Sequence, residues 1–378
     1  MVRFLHTSDW QIGRTYSRFT QEDAAALSEA RVAAVRSIAG LATRLKADAV
    51  LVAGDVFDAQ TISDRTIHQL FNALEGFPGP WIMIPGNHDA ALAESVWTRA
   101  QRLKCMADNV HFLQTVECRT FPELGLAVLA APLTQRQTSS DLTMTFPEMD
   151  TEPGFIRVGL AHGSIQGVIP EEADSANPIA ADRETTARLD YLALGDWHGL
   201  KQVAPRTWYS GTPERDRFKG NAPGHVLEVE ITSPGTDPVV TPHRVGQFEW
   251  HLEEADLQVS SDLDLLATLL GRLTSTDVLR LTVAGRIDLA GLDRLETMLG
   301  TAEGRLRSLE ADRSGLQFQP TEEDIRALHV DGYLDEVLKE LQSGQDAYPT
   351  EAQRLAAGDA LVELASILRT RNAQGVKA

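Results

Sequence analysis

The sequence predicts an α/β protein whose functional residues lie at one edge of a sheet. Two observations support this fold class. In the first half of the chain, short apolar runs alternate with stretches whose apolar residues recur every three or four positions, which is typical of alternating strands and helices. Polar clusters follow directly after several apolar runs, where open α/β sheets bind their ligands.

The first elements predict strand, helix and strand in alternation. The strands are residues 2–7, 49–52 and 81–84, and the helices are residues 22–45 and 63–74. Later strands have no helices between them, which favours a mixed sheet or a sandwich of two sheets over a plain doubly wound fold. These strands are residues 126–129, 155–160, 191–194, 208–209 and 226–231. The aperiodic residues 134–154 and 166–182 are predicted as long surface loops.

The sequence changes character after about residue 250. A predicted helix at 263–273 precedes an alternating strand at 278–283, and Asp288 is placed to cap a long helix. The leucines predicted on one face of that helix are Leu292, Leu295, Leu299, Leu306 and Leu309. These elements predict a small second α/β domain before a helical, acidic segment. The expected domains are residues 1–247, 248–320 and 321–378.

Composition excludes several classes of protein. The chain has 378 residues, of which 43% are hydrophobic and 24% charged, as in globular proteins and unlike disordered or fibrous ones. With 35 Lys and Arg against 54 Asp and Glu, the net charge is −19. A protein that binds nucleic acid through bulk charge usually has the opposite sign. If this protein handles phosphates, bound metal ions are the expected source of positive charge.

Cysteine usage and hydropathy predict a cytoplasmic protein. Cys105 and Cys118 are too few for a four-ligand zinc site and lack a CxxC spacing, so we expect reduced thiols. Asp9 arrives before the apolar core of a signal peptide could develop. Since no apolar run has membrane-spanning length, we expect no membrane partner.

Five polar clusters carry the chemistry, and each follows a predicted strand. Three of the five include a glycine just before the polar residues, which lets the backbone turn sharply and project the next side chain into a cleft. Residues i and i+2 of an extended chain point to the same side, so positions 9 and 11, and likewise 196 and 198, are each expected to present two ligands. The candidate ligands are Asp9, Gln11, Asp55, Asn87, His162, Asp196 and His198.

This set of donors suits two divalent cations. Two cations about 3.5–4 Å apart need a bridging carboxylate, terminal oxygen and imidazole ligands, and room for a bridging hydroxide. Oxygen donors outnumber imidazoles and no thiolate takes part, which favours Mn²⁺, with Mg²⁺ as the alternative. Alone, Asp9 or Asp55 would be a helix cap more often than a ligand, and His162 could be a core histidine. The metal hypothesis therefore depends on the five clusters occurring together and in order.

The five clusters resemble the motifs of the calcineurin-like metallophosphoesterases, in order and spacing, over about residues 1–232. The stretches LHTSDW at residues 5–10 and GDVFD at residues 54–58 are most similar to the SbcD-type DNA-repair nucleases. The resemblance implies a four-layer αββα sandwich with a small C-terminal α/β capping domain. It also implies C-terminal helices that bind an SbcC-like ATPase. Because SbcD-like proteins are often dimers, a homodimer is a further hypothesis.

The resemblance implies a role for each site residue. The first cation would be bound by Asp9, Gln11 and His198, the second by Asn87, His162 and Asp196, and both would be bridged by Asp55. His88 would stabilise the scissile phosphate or protonate the leaving oxygen, and Asp89 would orient His88.

Gln11 and Asp196 depart from the family pattern, because each stands where a histidine is usual. A glutamine oxygen is a weaker, neutral ligand, which is expected to loosen the first cation. Asp196 adds a hard, negatively charged oxygen, which is expected to tighten the second. These departures leave open a one-metal or weakened enzyme.

The expected function is hydrolysis of DNA phosphodiester bonds by an SbcD-like exonuclease or endonuclease through a two-metal bridging hydroxide. Two alternatives stay open: a phosphodiesterase or phosphatase for small nucleotides, and a weakly active scaffold for an ATPase. A basic, aromatic stretch either follows a nucleic-acid backbone or is a solvated loop paired with Glu214 and Asp216. It contains Arg206, Trp208, Tyr209, Arg215, Arg217 and Lys219. Residues 355–368 either bind a partner or pack on their own domain.

Overall fold

The computed structural model describes residues 1–167, 177–218, 220–319 and 333–373. These residues belong to two compact units, Met1–Phe248 and Glu249–Ala378. Three parts of the sequence prediction lie outside the described residues: Lys219, part of the loop at 166–182, and the start of the acidic segment from residue 321.

The first sheet of the N-terminal unit has six strands. They are β1 (Val2–Thr7), β2 (Ala49–Ala53), β3 (Trp81–Ile84), β4 (Val110–Phe112), β13 (His225–Ile231) and β14 (Val239–Arg244). Their spatial order is β14-β13-β1-β2-β3-β4. Strands β1 to β4 are mutually parallel, whereas β13 and β14 run antiparallel to their neighbours. The carboxyl ends of β1, β2 and β3 therefore share one edge.

The second sheet also has six strands. They are β5 (Glu117–Phe121), β6 (Leu126–Ala131), β7 (Ile156–His162), β10 (Tyr191–Gly195), β11 (Lys201–Ala204) and β12 (Thr207–Tyr209). Their order is β11-β12-β10-β7-β6-β5, with β6, β7, β10 and β12 parallel. A separate parallel pair, β8 (Ser164–Ile165) and β9 (Pro178–Ile179), follows β7.

The two sheets pack face to face. Their shared core contains Phe4, Leu51 and Ile82 from the first sheet and Val128 and Leu160 from the second, all fully buried.

Helices cover the outer faces of both sheets. Three helices, α1 (Gln21–Leu45), α2 (Asp64–Leu74) and α3 (Val96–Leu103), pack on the first sheet. The short α4 (Arg183–Thr186) and a 3₁₀ helix, Leu142–Glu148, lie over the second. The expected four-layer αββα sandwich is confirmed.

The second unit contains a three-stranded parallel sheet. Its strands are β15 (Glu249–Leu257), β16 (Asp277–Ile287) and β17 (Ser308–Phe318), with α5 (Ser260–Arg272) and α6 (Leu289–Glu303) between them. The Asp288 carboxylate accepts a hydrogen bond from the Gly291 N–H at 2.7 Å, which caps α6 as predicted. The predicted length of α6 is wrong. The helix ends at Glu303, before Gly304, so Leu306 lies in the following turn and Leu309 on β17.

Two further helices follow in the second unit, α7 (Tyr333–Ala347) and α8 (Glu351–Ala373). Leu338 on α7 and Leu361 on α8 are buried against Phe318 of β17. The first part of the segment at 355–368 therefore packs on its own unit. Among the described helices, none combines the length and apolarity needed to cross a bilayer.

The strands missing from the sequence prediction lie at sheet edges. Strands β4 and β14 border the first sheet, β5 and β11 the second, and β15 and β17 the third. An edge strand is hydrogen-bonded on one side only and is partly solvent-exposed, so it lacks the continuous apolar run of a central strand. The four edge strands of the sandwich contain no fully buried residue.

Replacement of Leu51 by Ala should lower the free energy of unfolding by about 2–5 kcal/mol, because it leaves a cavity between the two sheets. The matched control is Leu92→Ala, at an exposed leucine in the same unit, which should change stability by less than about 0.5 kcal/mol. Urea denaturation monitored by tryptophan fluorescence measures both. Equal losses in the two variants would contradict the position of Leu51 in the core.

Candidate metal centre

The loops after β1 and β2 are joined by backbone hydrogen bonds. The Asp9 N–H donates to the Gly54 carbonyl at 3.0 Å, and the Gln11 N–H donates to the Asp55 carbonyl at 2.9 Å. These bonds set Asp9 and Gln11 beside Asp55. The sequence predicted this proximity from an extended chain, in which residues i and i+2 point to the same side, and the prediction of an extended chain is wrong. Asp9, Gln11 and Asp196 have φ of +53°, +45° and +103°, so turned loops rather than extended strands direct these side chains.

Three buried side chains form the centre of the site. Asp9, Asp55 and His162 each offer a ligand atom, and these atoms lie within 4.8 Å of one another. Two further oxygens lie near the His162 Nε2 atom: Asn87 Oδ1 at 3.1 Å and Asp196 Oδ1 at 3.8 Å. The structure thus brings together five of the seven ligands predicted from the sequence. Carboxylate and amide oxygens with one imidazole fit a divalent cation such as Mn²⁺ or Mg²⁺.

The orientation of His162 is set by its other ring nitrogen. Nδ1 lies 2.8 Å from the carbonyl oxygen of Ala53, an acceptor only, so Nδ1 carries the proton and Nε2 faces the carboxylates. Burial lowers the pKa of His162, but the charges of Asp55, Asp9 and Asp196 outweigh burial and raise this pKa to about 9. The carboxylates therefore create a field that favours a cation at this position.

Glycines leave the space that the site needs. At Gly54, whose φ is +87°, a Cβ atom would overlap the His162 ring. At Gly86 a Cβ would overlap Asp55 Oδ1, and at Gly195 it would overlap the Ala53 carbonyl. Gly86 and Gly195 are required because other atoms approach their Cα atoms closely, and not because the backbone turns there. The sequence prediction did not distinguish these two reasons.

His198 and Gln11, the other two predicted ligands, lie next to this centre. The His198 Nε2 atom is 4.0 Å from Asp9 Oδ1 and 3.1 Å from Gln11 Nε2. The Gln11 Oε1 atom accepts a hydrogen bond from Arg14 Nη1 at 2.7 Å. Arg14 was not identified from the sequence, because no motif pointed to it.

Asp216 orients His198. Its buried carboxylate lies 3.0 Å from the His198 Nδ1 atom and also pairs with Arg217. Burial opposes ionisation of Asp216, but hydrogen bonding and charge from His198, together with Arg31, hold its pKa well below the usual range. The solvated-loop alternative is confirmed in that Arg217 pairs with Asp216, but it is wrong about solvation: Asp216 and Glu214 are buried, and Glu214 accepts hydrogen bonds from backbone N–H groups.

The rest of the basic, aromatic stretch lies in several environments. Arg206 pairs with Asp237, and the buried Tyr209 hydroxyl donates to the Gly163 carbonyl. Of the described residues of that stretch, Arg217 alone lines the cleft beside the centre.

His88 and Asp89 differ in their surroundings. The His88 Nδ1 atom lies 2.8 Å from the backbone carbonyl of Asp58, and its ring lines the cleft. The Asp89 carboxylate is fully buried and accepts hydrogen bonds from the backbone N–H groups of Val56, Phe57 and Gly86. The expectation that Asp89 orients His88 is therefore wrong. Asp89 instead joins the loops after β2 and β3, and Asp58 orients His88.

An open cleft of about 490 Å³ borders the site. Its polar walls include His88 and His198 beside the guanidinium groups of Arg14, Arg18 and Arg217. The Arg18 guanidinium carbon lies 5.0 Å from the ring centre of Phe19 and 5.2 Å from that of Phe218. The lining therefore combines positive charge with aromatic surface.

Replacement of Gly86 by Ala should weaken Mn²⁺ binding at least about tenfold, since the new methyl group displaces the Asp55 carboxylate by steric overlap. Gly40→Ala is the control, because Gly40 lies in α1 with open space around it. That change should leave Mn²⁺ binding unaltered and raise helix stability by about 0.5–1 kcal/mol. Calorimetric titration with Mn²⁺ measures the affinities, and unaltered binding by the Gly86 variant would refute the crowding at Asp55.

Parts of this chain are similar in sequence to known proteins. Residues 2–128 match the family model described as calcineurin-like phosphoesterase. A 95-residue segment is 37% identical to a subunit of the nuclease SbcCD from Rhodobacter capsulatus, covering 24% of this chain and 22% of the relative. A 245-residue segment is 24% identical to the uncharacterized metallophosphoesterase YhaO of Bacillus subtilis, covering 61% of this chain and 58% of the relative. The matches thus span less than two thirds of either relative.

Among solved structures, TT1561 of Thermus thermophilus is similar with a TM-score of 0.42 and 12% identity, over 65% of this chain and 99% of that one. The family match contains Asp9, Gln11, Asp55, Asn87 and His88. Later parts of the chain supply His162, which contacts Asn87, and Asp196, which lies next to His162. Residues 2–128 of this chain therefore match the calcineurin-like phosphoesterase family.

Proposed function

We propose that this protein is a metal-dependent phosphodiesterase that hydrolyses DNA, similar to SbcD-type nucleases. The observation that carries the proposal is the convergence of Asp9, Asp55 and His162 beside a cleft with three arginines. Divalent cations held by these residues and by Asn87 and Asp196 would supply Lewis acidity for phosphoester hydrolysis.

His88 has the surroundings of a proton donor. Its Nδ1 atom is held by the Asp58 carbonyl, so Nε2 is the nitrogen available to a phosphate oxygen in the cleft. Its backbone N–H donates to Asp55 Oδ1 at 2.9 Å, and this hydrogen bond holds His88 next to the predicted metal ligand Asp55. In this role the imidazole stabilises the scissile phosphate and protonates the leaving oxygen.

The arginines of the cleft support DNA binding by a chain whose net charge is negative. The chain carries −19 overall, so bulk charge repels DNA. Arg18 and Arg217 place positive charge locally at the mouth of the site, and the rings of Phe19 and Phe218 lie next to Arg18. Guanidinium groups bind phosphates, and aromatic rings stack on bases, which together favour a nucleic-acid strand.

Similarity to a protein named as a nuclease subunit favours DNA over the alternative, a small nucleotide or phosphomonoester. The two substrates are distinguished by assaying single-stranded DNA, hairpin DNA and a chromogenic phosphodiester in Mn²⁺, Mg²⁺ and Zn²⁺. Metal content is measured on the same sample. Cleavage of DNA supports the proposal, whereas turnover of the small diester without DNA cleavage favours the alternative.

The proposal extends to partners. The relative is named as one subunit of SbcCD, and we propose that an SbcC-like ATPase binds the helices of the second unit and that the protein forms a homodimer. Light scattering gives the mass of the isolated protein, and co-purification with the ATPase tests the complex. A stable complex without nuclease activity in Mn²⁺ would favour the scaffold alternative.

Asp55→Asn should abolish Mn²⁺ binding and DNA cleavage, because a neutral amide replaces the central carboxylate of the cluster. Asp150→Asn is the matched control, since its side chain is 98% exposed. Calorimetry and a gel-based cleavage assay measure the two properties. Full metal binding by the Asp55 variant would show that the cation lies elsewhere.

His88→Asn should leave the Mn²⁺ content near normal and lower the cleavage rate by about 10²–10⁴-fold, since the variant keeps the backbone N–H to Asp55 but loses the imidazole. His68→Asn, at an exposed position of α2, is the control. Metal content and single-turnover rate are measured together. If the His88 variant loses its metal, His88 is a ligand and our assignment fails.

Arg18→Ala should raise the KM for DNA severalfold, leave the KM for a chromogenic diester unchanged, and reduce the salt dependence of DNA binding by about one unit of slope. The control Arg36→Ala removes the same charge from the exposed face of α1. Fluorescence anisotropy at several salt concentrations gives the slope. Equal effects in both variants would contradict a DNA path along the cleft.

A further inference from the structure

We propose that this centre binds one divalent cation, and that Arg14, hydrogen-bonded to Gln11, supplies fixed positive charge in place of a second cation. The inference rests on the metal site and not on DNA as the substrate. Arg14 and Gln11 are the residues that set the metal stoichiometry.

One cation position is held by a single cluster of ligands. Asp9, Asp55 and His162 offer atoms within 4.8 Å of one another, and Asn87 Oδ1 lies 3.1 Å from the His162 Nε2 atom. Asp196 Oδ1 lies 3.8 Å from the same nitrogen but is not a member of that cluster. Two carboxylates, an amide oxygen and an imidazole, completed by water, are donors that suit a divalent cation.

The other position lacks a free oxygen from Gln11. Its Oε1 atom accepts the hydrogen bond from Arg14 Nη1 at 2.7 Å, and its Nε2 atom faces His198. Rotating the amide by 180° would place its NH₂ group against a guanidinium, which has donors only. The arginine therefore fixes the orientation of the amide, with the nitrogen toward His198.

The His198 Nε2 atom, which would bind the first cation, also has a protein partner. The His198 Nδ1 atom contacts the Asp216 carboxylate at 3.0 Å, which accepts only, and the Arg217 guanidinium, which donates only. The Gln11 Nε2 atom, a donor in the orientation that Arg14 fixes, lies 3.1 Å from the His198 Nε2 atom, so that nitrogen carries the lone pair and accepts. Arg14 Nη2 lies 3.5 Å from Asp216 and completes a ring of four side chains. Within this ring, each atom that would bind a first cation already has a protein partner.

Two guanidinium groups border the second position. Arg14 contacts Gln11 and pairs with Asp58 and Asp216, and the Arg217 guanidinium lies against Asp216 and His198. A histidine at position 11 would offer a lone pair to a cation, whereas the glutamine offers its oxygen to Arg14. A fixed guanidinium can stabilise the negative charge that develops on a phosphate during hydrolysis.

The test is the number of Mn²⁺ ions bound per full-length chain, by equilibrium dialysis, with the electron paramagnetic resonance spectrum of the same sample. We expect one tightly bound Mn²⁺ and the six-line spectrum of an isolated ion. Two tightly bound ions with an exchange-coupled spectrum would overturn the inference.

The double variant Gln11→His, Arg14→Ala should bind two Mn²⁺ ions and show the coupled spectrum. Arg18→Ala is the control from the same cleft and should stay at one ion. A folded double variant that still binds one ion would overturn the role of the Gln11–Arg14 pair. If the double variant does not fold, the stoichiometry of the unmodified protein decides.

The outcomes separate this inference from the proposed function. Two ions per chain with DNA cleavage would refute the inference and leave the proposed nuclease activity intact. One ion per chain with no cleavage of DNA would refute the nuclease proposal and leave the stoichiometry intact.

Discussion

The hydrogen bond from His162 to the carbonyl oxygen of Ala53 is the interaction on which the site depends. It joins the end of β7 in one sheet to the end of β2 in the other, at 2.8 Å and away from solvent. It also fixes which imidazole nitrogen faces the carboxylates. Gly54 and Gly195 lie so close to the His162 ring and the Ala53 carbonyl that a methyl group at either position would push these two hydrogen-bonded groups apart. Sheet packing and metal binding therefore share one constraint.

Charge is organised at two scales in this protein. The chain as a whole is acidic, and its centre is built from carboxylates that favour a cation. Arg14, Arg18 and Arg217 then place positive charge along the adjoining cleft. Under the proposed function, this arrangement would attract a phosphate at the metal centre, while the acidic surface elsewhere would repel nucleic acid.

Buried carboxylates also hold the loops in place. The Asp89 carboxylate accepts hydrogen bonds from three backbone N–H groups in the loops after β2 and β3. Burial, together with the negative charge of Asp55, raises the pKa of Asp89 to about 7. Asp216 performs a related task for His198. Both residues act on the site through other groups, so a motif pattern alone assigns Asp89 the wrong contact and omits Asp216.

The sequence by itself determined the central strands and the order of the polar clusters, because periodicity and local motifs are properties of neighbouring residues, and the family resemblance of those clusters implied the four-layer class. For β1 and β3, the predicted bounds coincide with the observed ones. Only the tertiary structure decided the edge strands, the end of α6, the partner of His88 and the environment of Gln11. Those features depend on contacts between distant segments, such as Arg14 with Asp216 across 202 positions of the chain, and no local pattern encodes which donor reaches which acceptor.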